Sequence, residues 1–256
     1  MPTRWCTSTR RSRSPASPAT RLNEWEVLSE TTYPLYMTGR WAETLAAFAE
    51  IPEDQIREAG IILSPLTSVL EIRIHRGDLR AAEKMFGLYA RLKDSADVQE
   101  RSCYLAALAA LRRGQGRYGE AFEAAREAIE RGRALSLAAQ PVKQGVVEGV
   151  EAALALGDTS AAEELLEVVA SVPRGRRSPY LEAQRKRLKA RLAQAEGADE
   201  LFRGAIAAFR ELGLPFWTAV ASIEYAEWLS ARNREEEARA LGAEATSSFE
   251  KLGATP

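Results

Sequence analysis

Cysteine is almost missing from this sequence: Cys6 and Cys103 are the two in 256 residues, far apart in the chain. A disulfide framework or a zinc site needs several ligands at close, repeated spacing, so neither is expected, and no metal or other cofactor is implied. Paired with a reducing compartment, this reads as a cytoplasmic protein. Histidine is scarcer still, since His75 is the single one. Any Ser-His-Asp or Cys-His arrangement would have to use it, yet no nucleophile or orienting acid comes with it. The end of a helix, where the dipole favours a partly positive ring, accounts for it. Long apolar runs are also lacking. Tyr104 to Leu111 offers eight residues before Arg112 and Arg113, against about 20 for a membrane-spanning helix, so no membrane is expected as a partner. A formal net charge of -1 and a pI near 6.1 supply no field to gather polyanions, which argues against nucleic acid as a partner. Alternating apolar and polar runs are absent, so no strand is predicted. No Walker A, HExxH, GxSxG or CxxC pattern occurs either, and the chain is expected not to be an enzyme.

The first 21 residues have no acid and no apolar segment of the kind a secretory signal carries, but they hold Arg4, Arg10, Arg11, Arg13 and Arg21. Pro2, Pro15 and Pro18 interrupt the amphipathic helix that a transit peptide would form. Residues 1–21 are therefore expected to be a disordered, basic Ser/Pro/Arg-rich tail, and residues 22–256 one helical-repeat domain.

What the sequence has in abundance is alanine, 45 residues of it, the residue that loses least on entering a helix. Past residue 22 a unit recurs: an apolar helical stretch, a short turn, a second helical stretch. The turns begin at Gly39, Gly77, Gly116, Gly157, Asp199 and Asn233, with spacings of 38, 39, 41, 42 and 34. Five residues on from each stands a small residue: Thr44, Ala82, Ala121, Ala162, Gly204 and Ala238. Small side chains at a fixed register let two helices approach closely. Asp78, Asp158 and Asn233 are placed as N-caps, and Asn233 with Glu236 makes a capping-box-like pair. Pro65, Pro141, Pro179 and Pro215 mark where first helices begin. Pro34 falls inside the first predicted helix and should kink or shorten it.

These observations predict an all-α fold, a tetratricopeptide-like α-solenoid of about six antiparallel helix pairs, stacked into a curved body with the first helices lining the inner surface. That surface, near residues 65–76, 98–113, 141–155, 179–195 and 215–231, is the expected place for a protein or peptide partner. Other features have plainer readings. Gly114-Gln115-Gly116-Arg117-Tyr118-Gly119 matches the dinucleotide fingerprint, but a helix rather than a strand precedes it, so it reads as a turn. The basic run Arg174, Arg176, Arg177, Arg185, Lys186, Arg187, Lys189 and Arg191 reads as a solvated helix face, with Leu181, Leu188 and Leu192 toward the core. Trp217 and Trp228 share a helical face and are expected in the stack, as is Cys103.

The C-terminal stretch is more distinctive. The run Leu201–Leu214 (LFRGAIAAFRELGL), Pro215-Phe216-Trp217, the segment Glu224 to Leu229, Glu236-Glu237-Ala238-Arg239 and the ending Phe249 to Pro256 resemble the C-terminal tetratricopeptide-like region of bacterial signalling ATPases. Such regions accompany adenylate or guanylate cyclase domains and occur in LuxR- or MalT-type regulators. The resemblance implies a non-catalytic scaffold or sensor module of bacterial signal transduction. Its alternative is a truncated regulatory fragment whose catalytic or DNA-binding domains are encoded elsewhere. Only the last spacing meets the strict tetratricopeptide period of 34, and no position here can inherit a nucleotide-binding or catalytic residue.

Overall fold

A computed structural model describes residues 18–58, 62–193 and 197–255, with the side chains of 18–20 and 174 left out. Among the described residues there are thirteen α-helices and no strand. They run α1 (Pro18–Met37), α2 (Trp41–Ala49), a short α3 (Glu53–Glu58), α4 (Pro65–His75), α5 (Leu79–Gly87), α6 (Val98–Gly114) and α7 (Tyr118–Gly132). Then follow α8 (Gln140–Ala155), α9 (Thr159–Ala170), α10 (Pro179–Leu192), α11 (Ala198–Glu211), α12 (Pro215–Ser230) and α13 (Glu235–Leu252). Apart from α3, consecutive helices pair off, and each pair is in contact. α1 starts at Pro18, so the last residues of the stretch expected as a tail are helical, while residues 1–17 lie outside the described residues.

Five of the six turns have one construction. Gly39, Gly77, Gly116, Gly157 and Asn233 all take a left-handed backbone, with φ between 60° and 79°, and the next residue's N–H reaches back to a carbonyl five positions earlier. Asp78 donates to Arg73 O at 2.9 Å, Arg117 to Arg112 O at 2.8 Å and Arg234 to Leu229 O at 3.1 Å. This closes the orphan carbonyls of each first helix and redirects the chain into the second. Asn233 therefore is the turn residue and not the expected N-cap; α13 begins after Arg234, which makes no side-chain cap. Asn tolerates the left-handed region because its short amide suffers little from it. Asp78 and Asp158 do cap, accepting from Ala81 N and Ala161 N, and so does Asp97, from Glu100 N.

The turn expected at Asp199 is displaced. Gly197 holds the left-handed conformation there, and Asp199 lies in the first turn of α11. The small-residue register does not hold in this unit: Thr44, Ala82, Ala121, Ala162 and Ala238 are buried, whereas Gly204 is half-buried and the buried small residue is Ala205, eight positions after Gly197. Pro34 does not shorten α1, which runs on to Met37; its missing N–H forgoes a single i→i−4 bond. Close approach is most evident between α7 and α8. A Cβ on Gly145 would sit 3.4 Å from both Ala125 O and Ala128 Cβ, and one on Gly149 3.2 Å from Ala125 Cβ.

The first two pairs both touch the last. Arg76 donates to Leu252 O from Nε at 3.2 Å and Nη2 at 2.9 Å, and Thr255 N donates to His75 O at 2.8 Å. Trp41 lies against Phe216 with ring centroids 5.3 Å apart. Nine of the eleven residues of α4 and eleven of the sixteen of α8 are buried. A helix lining an open surface keeps a solvated stripe; these two do not.

Candidate functional site

The first helices of the pairs bring polar side chains to one interior region, and each does so at helical spacing. α4 supplies Thr67, Glu71 and His75; α8 supplies Gln144, Glu148 and Glu151; α10 supplies Tyr180, Gln184, Arg187 and Arg191. Positions three and four apart share a face, so each trio or quartet forms a stripe. α1 adds Tyr33 and Tyr36, α6 adds Arg113, and α12 adds Trp217 and Glu224.

Hydrogen bonds run along the stripes. Thr67 Oγ1 donates to Gln144 Oε1 and Gln144 Nε2 to Glu71 Oε1, both at 2.9 Å. Glu71 Oε2 lies 3.1 Å from His75 Nε2. Arg113 forks onto Glu148, with Nε donating to Oε2 at 2.6 Å and Nη2 to Oε1 at 3.2 Å. Further along, Arg187 Nη2 pairs with Glu151, and Arg191 Nη1 bridges Glu151 Oε2 at 2.6 Å and Glu224 Oε1 at 3.1 Å.

Burial and neighbours set the protonation of these groups. Burial pushes the Glu71 carboxyl up, but the contact with His75 and the charge of Arg113 outweigh it and hold it below the usual range. Burial dominates at Glu148, and the negative charge of Glu71 adds to it, so that carboxyl sits above its ordinary value despite Arg113. Burial together with Glu71 pushes the Tyr33 phenol up to about 12, and raises Tyr36 well above its ordinary value. Arg187 is wholly buried, and burial pushes its guanidinium down to about 10.

At one end the region opens into a cavity of about 330 Å³, whose charged lining includes Arg113, Arg187 and Arg191 with Glu151, Glu224 and Glu227, and whose apolar wall includes Phe216, Trp217 and Val220. At the other end Tyr33, Tyr36, Tyr180 and Trp217 leave only about 20 Å³.

The basic run of α10 is therefore not one solvated face. Arg187 lies inside and Arg191 reaches into the cavity, while Arg177 and Arg185 pair with Glu182 at 3.3 and 2.6 Å. Which face of α10 is inner depends on partners from α8 and α12, 36 or more residues away, and no local pattern discloses them. His75 does sit at the end of its helix, but between Trp41 and Phe216, with centroids 6.3 and 4.3 Å away. Trp217 is buried in the stack and Trp228 half-buried. Cys103 is buried, and burial pushes its thiol up to about 12. The expected inner surface omitted α1, whose tyrosines belong to it; the repeated Thr67/Glu71/His75 and Gln144/Glu148 spacing was the signal that could have marked the region.

No protein-family model matches this chain. No curated protein matches it either. The site must be read from its chemistry: forked ion pairs, amide bridges and aromatic walls, which recognise charge and shape. Among the described residues no group of His, Cys, Asp and Glu is arranged to hold a metal, and no helix is long and apolar enough to cross a membrane.

Proposed function

We propose that the chain is a tetratricopeptide-like, non-catalytic scaffold of bacterial signal transduction that binds a protein or peptide where the inner face of its first helices opens, at the ends of α8, α10 and α12, in the cytoplasm. One observation carries this reading: successive first helices deliver charged side chains to a common region with an open end, at Glu151, Arg191, Glu224 and Glu227. Oppositely charged groups presented at a rim select and orient partners. The C-terminal resemblance to regulatory repeat regions supports the signalling assignment. Reversing the rim charges with Arg191→Glu and Glu227→Lys should abolish capture of the partner from the native host, and cross-links to the parent chain should map to this rim. A partner retained by the doubly reversed variant, or cross-linked only to the second helices, refutes the reading. ATP turnover by the purified chain would refute its non-catalytic part.

A further inference from the structure

The open cavity holds polar groups that the protein itself leaves unsatisfied. Arg187 is wholly buried, yet its Nε and Nη1 have no hydrogen-bond partner among the described residues. The same holds for Trp217 Nε1, on a residue that is 6% exposed, and for Glu224 Oε2. Arg187 Nε and Glu224 Oε2 stand 3.5 Å apart, within ion-pair range but without a hydrogen bond. Buried donors and acceptors in this condition are costly and call for an occupant that completes them.

Their character specifies the occupant. The Arg187 guanidinium lies over the Trp217 ring, 5.4 Å from its centroid, and both residues line the cavity and carry unused N–H donors, which suit a carboxylate. Glu224 Oε2 is an unused charged acceptor beside them, suited to an ammonium group. The charged lining of the cavity balances, with Arg113, Arg187 and Arg191 against Glu151, Glu224 and Glu227. A net anion or net cation would leave an uncompensated charge in this buried setting, whereas a zwitterion would not. Phe216, Val220, Ile223 and Phe249 complete the wall and favour an apolar side chain. The volume of about 330 Å³ accommodates a body of that size.

We propose that this cavity binds a free α-amino acid with an apolar side chain, its carboxylate on Arg187 and Trp217 and its ammonium on Glu224. The inference goes beyond the protein-binding reading, because a small ligand held here would make the scaffold a sensor. It is tested without any macromolecular partner, so that its failure leaves the rim assignment untouched.

The test is calorimetric titration of the full chain with L-leucine, L-phenylalanine and L-tryptophan at millimolar concentration, beside N-acetyl-L-leucine and L-leucinamide. At least one amino acid should bind saturably. For leucine, loss of either charged terminus should weaken binding by at least about tenfold, the worth of one charge-assisted hydrogen bond. Glu224→Gln should weaken binding similarly, and Val220→Trp, which fills the cavity without altering a charge, should abolish it. No binding by any of the three amino acids overturns the proposal, as does N-acetyl-L-leucine binding as tightly as leucine. Undiminished binding by folded Val220→Trp also overturns it; should that variant not fold, Glu224→Gln and the two derivatives decide.

Discussion

Replacing Glu148 with alanine removes both acceptors of the Arg113 fork while leaving the guanidinium where it is. Glu148 is 1% exposed, and stripping one partner from a buried pair costs about 3–5 kcal/mol, because the remaining charge is left uncompensated. Two features place this case at the lower end. The Arg113 side chain is 23% exposed and can recover some hydration, and Glu71 remains nearby as a countercharge. A loss of about 3 kcal/mol is expected, or about 6–12 °C in Tm for a chain of this size, read by urea denaturation followed by circular dichroism. The reverse deletion, Arg113→Met, adds a pH signature. Without Arg113, Glu71 loses a cation that holds its pKa down and Glu148 loses one that opposes its rise, so both folded-state values move up. A carboxyl raised above its unfolded value stabilises the fold below the unfolded pKa, and that contribution is lost as pH rises through the folded pKa. The deficit of Arg113→Met relative to the parent should therefore be largest near neutrality and shrink as pH falls toward about 5. A cost below about 1 kcal/mol for Glu148→Ala, or a pH-independent deficit for Arg113→Met, refutes the argument that this fork compensates buried charge.

Gly39 and Gly157 share a left-handed turn conformation, but a Cβ on Gly39 would meet Pro215 Cγ at 2.6 Å while one on Gly157 meets nothing within 4 Å. Gly157→Ala should cost about 1–2 kcal/mol from backbone strain alone, and Gly39→Ala clearly more; equal midpoint shifts in denaturation would mean that the first and last pairs do not touch. Ala121→Trp inserts bulk at a fully buried position and should cost about 1–3 kcal/mol or more by overpacking, so an unchanged midpoint would contradict the register. Cys103 should resist alkylation in the native protein at mildly alkaline pH, since burial keeps its thiol protonated; in a Cys6→Ser background, labelling should follow global unfolding, and rapid native labelling would disprove the burial.

Helix content, the paired arrangement and most turn positions were legible because they rest on local physics. Alanine abundance, proline at helix starts and a left-handed glycine after a helix act within about five residues of chain. The one displaced turn shows the limit of that logic: Asp199 looked like a turn residue by composition, but Gly197 beside it takes positive φ at less cost and moves the start of α11.

The interior was not legible in the same way. The polar residues of α4, α8 and α10 look like an exposed stripe in one dimension, and charged side chains are ordinarily solvated. Here Arg187 is buried because Glu151 and Glu224 arrive from other pairs, and α4 is enclosed because the last pair returns to Arg76 and His75. Sequence alone determined that this chain makes helices and where most of them turn, since backbone preference and side-chain size act between near neighbours. Tertiary structure decided which charges face each other and which donors are left facing a cavity, since Coulomb attraction and burial depend on distances that 36 to 180 residues of intervening chain do not encode locally.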